Sequence, residues 1–439
     1  MNNKIEEIRK YLDETKYGIK EILVVIENLC KLIEHDDNEI NDGNIKELGL
    51  ILKMRDFGEE KDKIVDLLIK YSRNSKKPRV SNIFLNEAEI LQRKIILKSK
   101  PREIHVTITF KCNLKCIMCC NGYDTEYELD DQLYEYLVDN MKYLERVIWK
   151  GGEVFLYKNF FKLFDLAAKY NVKQTIITNG LLLNKDIIEH ICKNNVSLSV
   201  SIDAVDKELY EKIRVGGRFE KLIENLTILK NIREKNKNCN YSMITVLMTL
   251  NYNKILDFVN FAKLYDFSSI HFSKCDPGKE NKGIPFLLQE KHLLEIYKQF
   301  NEDYMKEILD NKEEIYIEID NSFIIGSKNI ESKQYNNYGE KKIDGKKEEL
   351  EKKEEKENIK YNSVNKEVNF DKLFCDLPWK KVIFSIDNIG FDCHCKVIDI
   401  SKYLSKKTDI WNCEELVEYR KNIIDNKEKS CKIFLENSK

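Results

Sequence analysis

From about residue 103 to residue 310 the chain alternates short apolar runs with amphipathic helical ones, and this alternation restricts the fold more than any other feature. Strand candidates are 104–110, 146–150, 174–178, 198–203, 241–249 and 270–273. Helical patterns fall between them at 131–144, 160–169, 185–194, 218–234 and 255–265. Such alternation builds βαβ units, whose strands lie parallel with helices covering the sheet. Six strands are too few for a closed eight-strand barrel. The expected fold class is therefore α/β, a partial six-stranded parallel (β/α) barrel. In barrels of this kind, catalytic groups sit on loops leaving the C-terminal ends of strands.

The loop that leaves the first strand carries Cys112, Cys116 and Cys119, spaced C-x3-C-x2-C. Three thiolates can hold three irons of a [4Fe–4S] cube, whose ligands are usually four cysteines. The fourth iron is then open to chemistry. The alternatives are a zinc site or three unrelated buried thiols. Structural zinc would show paired C-x2-4-C knuckles or a His at matching spacing, and neither is nearby. Cys120 lies outside the spacing.

Later strand ends carry further polar residues. Gly151-Gly152-Glu153 follows the second strand; adjacent glycines let backbone approach a ligand closely, and the Glu can accept from an ammonium group. Alone, the triplet is equally a turn. Thr178-Asn179-Gly180 follows the third strand and also reads as a turn. Ser199, Ser201 and Asp203 alternate on the fourth strand and so face one way, although Asp203 would also serve as a helix cap. Arg214 precedes Gly216-Gly217 and can pair bidentately with a carboxylate, or lie on the surface. Their recurrence at consecutive strand ends is what carries weight.

Together these residues resemble the radical S-adenosylmethionine (SAM) enzymes over about residues 100–310. The resemblance implies that Cys112, Cys116 and Cys119 hold a [4Fe–4S] cluster whose open iron is chelated by SAM. It places Gly151, Gly152 and Glu153 at the SAM amino group, Ser201 and Asp203 along the SAM pocket, Arg214 near the SAM carboxylate and Met118 near the adenine. Asn179 is included among the cofactor-binding candidates. Val154 stands where the family usually has Pro. The implied chemistry is one-electron cleavage of SAM to a 5′-deoxyadenosyl radical that abstracts hydrogen from a substrate, with flavodoxin or ferredoxin as the kind of electron donor. Cys275, after the sixth strand, is a candidate catalytic hydrogen donor, against the reading of a small buried hydrophobe.

Residues 1–99 read as a helical N-terminal region, with runs at 5–33, 45–54, 61–72 and 86–97 and a connection at 76–80. The barrel region is 100–312. Residues 326–370 are almost purely charged in part and read as a disordered linker, with too little apolar surface to offset ordering. Apolar residues and cysteines return over 371–439. There Cys375-Asp-Leu-Pro-Trp379, a hairpin pattern and Cys393, Cys395, Cys413 and Cys431 resemble the SPASM and twitch auxiliary-cluster domains. Five cysteines are too few for two clusters, so at most one auxiliary [4Fe–4S] cluster is expected. The ligands implied are Cys375, Cys393 and Cys431, with Cys395 or Cys413 as a fourth; a domain holding no metal is the alternative.

Lys+Arg 74 nearly cancels Asp+Glu 75, which gives no footprint for nucleic acid or membrane. No apolar segment is long enough to span a bilayer and no signal peptide is read, so the expected location is the cytoplasm. There the 13 cysteines are not expected to form disulfide staples, and Cys30, Cys192 and Cys239 are assigned neither partner nor role. The substrate classes the resemblance implies are a peptide or a sugar-like molecule. The competing readings are an iron–sulfur protein without SAM turnover and a tRNA-modifying member of the same family.

Overall fold

The computed structural model describes residues 19–35, 42–54, 57–119, 127–194, 196–236, 240–275, 287–301, 315–319, 377–385, 388–390, 397–399 and 409–425. Among the described residues four α-helices come first: α1 (Ile19–His35), α2 (Asp42–Met54), α3 (Lys61–Asn74) and α4 (Pro78–Leu91). Ile22, Ile26, Leu29 and Ile33 recur on one face of α1. With Ile64 and Leu68 of α3 and Ile83 and Phe84 of α4, they form a core separate from that of the barrel. Each such side chain contributes roughly 1.5–3 kcal/mol on burial.

One helix boundary differs from the expectation of 86–97. Pro78 occupies the first turn of α4, where its missing N–H leaves nothing unsatisfied, so the helix starts earlier. It ends at Leu91, and Arg93 turns the chain with φ 52°. The returning segment is held by Glu89, whose carboxylate accepts from the Lys98 and Ser99 N–H groups at 2.7 and 3.1 Å.

The barrel follows as β1 (Glu103–Thr107), β2 (Lys115–Cys116), α5 (Asp131–Asn140), β3 (Arg146–Lys150), α6 (Phe160–Lys169), β4 (Lys173–Thr178), α7 (Lys185–Cys192), β5 (Val196–Ser201), α8 (Lys207–Ile213), β6 (Arg214–Val215), α9 (Phe219–Lys235), β7 (Asn240–Leu247), α10 (Ile255–Leu264), β8 (Ser269–Lys274), α11 (Glu290–Asn301) and β9 (Tyr316–Ile319). All six anticipated strands are present, as β1, β3, β4, β5, β7 and β8. The sheet is wider than the sequence pattern suggested. β9 adds to β8 in parallel. On the other flank β10 (Lys381–Ser385) pairs in parallel with β1, Glu103 opposite Lys381. β11 (Asn388–Gly390) and β12 (Val397–Asp399) continue antiparallel beyond it.

Residues 381–385, 388–390 and 397–399 are therefore built directly into the barrel sheet. The short helix α12 (Leu377–Lys380) presents Trp379, whose Nε1 donates to the Lys94 carbonyl at 2.6 Å. Lys380 meets Glu87 at 2.9 Å, and Glu87 also pairs with Arg102, which in turn pairs with Glu145. Burial pushes the Glu87 carboxyl up, but the two neighbouring cations outweigh it and hold it below its ordinary value. Asn412 exchanges two bonds of 2.7 Å with the Leu97 backbone. Arg420 of α13 (Glu414–Ile424) donates to the Ile95 and Trp411 carbonyls at 3.1 and 2.9 Å.

Candidate functional site

After β1 the chain does not simply turn. Phe110 N–H donates to the Tyr127 carbonyl at 2.9 Å, and Leu129 N–H to that of Ile108 at 2.8 Å, pinning both ends of a long loop. Within it Cys112 is exposed, Cys116 and Cys119 are half-buried, and none of the three is in a disulfide. A turn closes from the Cys119 N–H to the Cys116 carbonyl at 3.0 Å. Burial raises the Cys116 thiol to about 11 against the opposing pull of Arg214. Burial also raises Cys112, opposed by the Leu114 N–H. Thiol ligands must be deprotonated, so metal loading here releases protons. Among the described residues no group of three or more His, Cys, Asp or Glu side chains is placed to hold one ion. This does not bear against a cube, in which each thiolate binds a different iron.

The glycine pair meets this loop from one side. A methyl group on Gly151 would lie 2.2 Å from the Thr109 carbonyl oxygen, and one on Gly152 would lie 2.4 Å from that of Lys111. Gly152 N–H donates to Thr109 O at 2.7 Å, and Glu153 N–H to Lys111 O at 2.8 Å. The close approach that these glycines permit is thus to the backbone leading into the cysteines.

Glu153 is fully buried. Its carboxylate accepts from Thr178 Oγ1 at 2.8 Å and from the Asn179 N–H at 2.9 Å, both at the end of β4. Burial raises it to about 7, with those donors and the Phe155 N–H opposing. Asn179 is more than a turn residue: its Nδ2 donates to Asn113 Oδ1 at 2.8 Å and lies 3.9 Å from Cys112 Sγ. Thr178 and Asn113 are site residues that sequence reasoning missed. Their only signal was adjacency to Asn179 and Cys112.

The other side of the loop is backed by β6. Cys116 is the register partner of Arg214, and Ile117 N–H donates to the Ile213 carbonyl at 2.9 Å. Arg214 is buried rather than a surface residue, with Nη2 2.6 Å from Asp203 Oδ2. Asp203 does not cap the next helix; Asp206 does, accepting from the Leu209 N–H. Ser199 bonds Ser242 across β5 and β7 at 2.9 Å, while Ser201 is half-buried at the strand end. Met118 is half-buried against the barrel core, and Cys275 is buried just beyond β8.

Cys375, Cys393, Cys395 and Cys431 lie outside the described residues. Cys413 is buried where α13 begins. Cys192 departs from expectation, because it is disulfide-bonded.

The molecule is an α/β-barrel protein with a cysteine site at its strand ends. Residues 106–262 match the radical SAM superfamily, and that part of the chain is a radical SAM domain. It is 26% identical over 195 residues to GTP 3′,8-cyclase of Clostridium botulinum, covering 42% of this chain and 60% of that one. It is 24% identical over 225 residues to the cysteine-type anaerobic sulfatase-maturating enzyme of Clostridium novyi, covering 46% and 59%. The matches thus span about 60% of these relatives' length. Among solved structures, Streptococcus suis SuiB bound to S-adenosylmethionine superposes with a TM-score of 0.52 at 14% identity, covering 90% of this chain and 81% of SuiB. SuiB bound to its precursor peptide SuiA gives 0.51 at 14% identity, covering 78% and 69%. Among the described residues no helix is long and apolar enough to cross a membrane.

A radical SAM domain implies a [4Fe–4S] cluster and SAM, and the residues present fit them. The loop offers three thiols outside any disulfide, and the Glu153 carboxyl beside it is buried and ionisable. Arg214, the register partner of Cys116, carries a guanidinium whose Nε is buried without a hydrogen-bond partner.

Proposed function

We propose that Cys112, Cys116 and Cys119 hold a [4Fe–4S] cluster with SAM on its open iron, and that the protein uses it to abstract hydrogen from a peptide or sugar-like substrate. The observation that carries this reading is the position of the three cysteines on one loop, with Glu153 bonded to the backbone at its entry and Arg214 paired in register with Cys116. When bound, the cluster and SAM supply one-electron cleavage of the sulfonium and a hydrogen-abstracting species. Glu153, ionised, accepts from the SAM amino group, and Arg214 meets the carboxylate. Asn179 holds the loop through Asn113, and Met118, Ser201 and the Gly151–Gly152 turn complete the pocket. The barrel wall keeps water from the reacting atoms.

A peptide substrate is favoured by two relatives: the sulfatase-maturating enzyme, and SuiB seen with its precursor peptide. The remaining parts of the proposal are at most one auxiliary cluster at Cys375, Cys393 and Cys431, a flavodoxin or ferredoxin as donor, and a cytoplasmic location. Cys275 is retained as a candidate hydrogen donor. The test is anaerobic reconstitution followed by incubation with SAM and dithionite. Release of 5′-deoxyadenosine supports the proposal; unchanged SAM beside a spectroscopically verified cluster refutes it. Iron per chain, counted in wild type and in a Cys375→Ala, Cys393→Ala, Cys431→Ala triple variant, decides the auxiliary cluster.

A further inference from the structure

Asp203 is expected from the family resemblance to line the SAM pocket, yet its surroundings assign it other work. It is 0% exposed; Oδ1 accepts a hydrogen bond, while Oδ2 has no hydrogen-bond donor and is met by an ion pair. The Val246 N–H of β7 donates to Oδ1 at 2.8 Å, and the Arg214 guanidinium lies 2.6 Å from Oδ2. Its carbonyl accepts from Asn251 Nδ2 at 2.9 Å, which fixes the backbone as well. Arg214 is 5% exposed. Its own backbone pairs with Cys116 in the β2–β6 ladder, and the adjacent Ile213 carbonyl receives the Ile117 N–H at 2.9 Å. A methyl group on Gly216, in the following turn, would lie 3.5 Å from the Asn113 carbonyl. A continuous set of contacts thus runs from β7 through Asp203 and Arg214 into the cysteine loop.

The ladder at the end of that path has two residues on each strand. Even a complete two-stranded hairpin is marginal in water, so this one needs an external hold. The Asp203–Arg214 ion pair supplies it, deep enough that water cannot substitute for either partner.

We propose that Asp203 is a positioning residue. By fixing the Arg214 guanidinium it sets the register of β6, and through β6 the position of Cys116 in the loop. The proposal rests on the function proposed above for what the loop is for, but its test needs no cofactor.

Amide hydrogen exchange is measured on the full-length, iron-free protein and on Asp203→Asn, which keeps an acceptor for Val246 while leaving Arg214 buried without a counter-charge. Exchange at Ile117 and at the Cys116–Arg214 ladder is expected to rise about tenfold or more, because an unpaired buried charge favours local opening. Amides in β4 and in β5 up to Val200 should stay within about twofold of wild type, which a general loss of stability would not allow. Modification of Cys116 by iodoacetamide should accelerate in parallel. Wild-type exchange in the loop overturns the proposal, and so does a loss of SAM affinity in reconstituted D203N with loop exchange unchanged, which would make Asp203 a direct SAM contact. If D203N does not fold, the neutral pair D203N/R214Q reads the same amides. Faster exchange confined to the loop supports positioning, and wild-type exchange overturns it. Failure of SAM turnover in the wild type would refute the function and leave this result standing.

Discussion

Replacing Gly152 with alanine separates two reasons for having glycine at this position. If glycine is there so that a ligand can approach, the iron-free protein should tolerate a methyl group. The structure says otherwise. The added carbon would sit 2.4 Å from the Lys111 carbonyl oxygen, 2.5 Å from that of Phe110 and 2.7 Å from the Phe110 carbonyl carbon. These are backbone atoms, with no rotamer available to move them aside. Restoring an ordinary contact of 3.4 Å requires a shift of about 1 Å. That shift breaks the bonds from Gly152 N–H to Thr109 and from Glu153 N–H to Lys111, at 2.7 and 2.8 Å. Overpacking costs about 1–3 kcal/mol and each lost bond about 1 kcal/mol, so the combined effect is roughly 3–5 kcal/mol. At roughly 2–4 °C per kcal/mol for a domain of this size, iron-free G152A should melt about 6–20 °C below wild type and should bind less iron on reconstitution. Differential scanning calorimetry of iron-free protein is the assay. An unchanged melting temperature with weakened SAM binding would refute the packing argument and restore the ligand-approach reading.

Alanine at Cys112, Cys116 or Cys119 should reduce the site's iron to background and abolish 5′-deoxyadenosine formation, whereas Cys120→Ala should preserve both; iron analysis and product chromatography decide. Glu153→Gln should change how stability depends on pH. The buried carboxyl is raised to about 7, so as pH climbs from the ordinary carboxylate range toward 7 the unfolded chain ionises first. The folded wild type then loses up to about 1.4 kcal/mol per pH unit from this group, and the loss is complete above the raised value. The variant lacks that slope, and identical melting curves against pH for the two proteins would contradict this. Arg102→Met leaves Glu87 and Glu145 without their shared partner; urea denaturation should show a loss of about 3–5 kcal/mol, and a loss below about 1 kcal/mol would show that Lys380 alone neutralises Glu87.

The barrel was legible because its signal is periodic and local. The six central strands and the helices between them follow from apolar patterning, and the three cysteines stand out by spacing. What escaped is non-local. β9 and β10 are short, and only their place beside β8 and β1 makes them barrel strands. The functions of Thr178 and Asn113 come from what they touch across strand ends, which no single-sequence pattern encodes. Gly151 and Gly152 stand out in the sequence as permitting close approach to a ligand; only the structure adds that they also lie against the backbone leading into the cysteines. Asp203 was singled out for its position on a strand, whereas its partners, Val246 and Arg214, lie on two other strands.

The pairing of β10 with β1 bears on how the molecule is made. Glu103 and Lys381 are register partners, so the first barrel strand to leave the ribosome has one edge without its neighbour until Lys381 has emerged. Exposed strand edges are templates for wrong pairing, and contacts so distant in sequence form slowly. Synthesis therefore passes through a period in which the cysteine loop can exist while the sheet behind it is incomplete. Cluster loading timed after release, rather than during elongation, would spare the cofactor from an unfinished barrel.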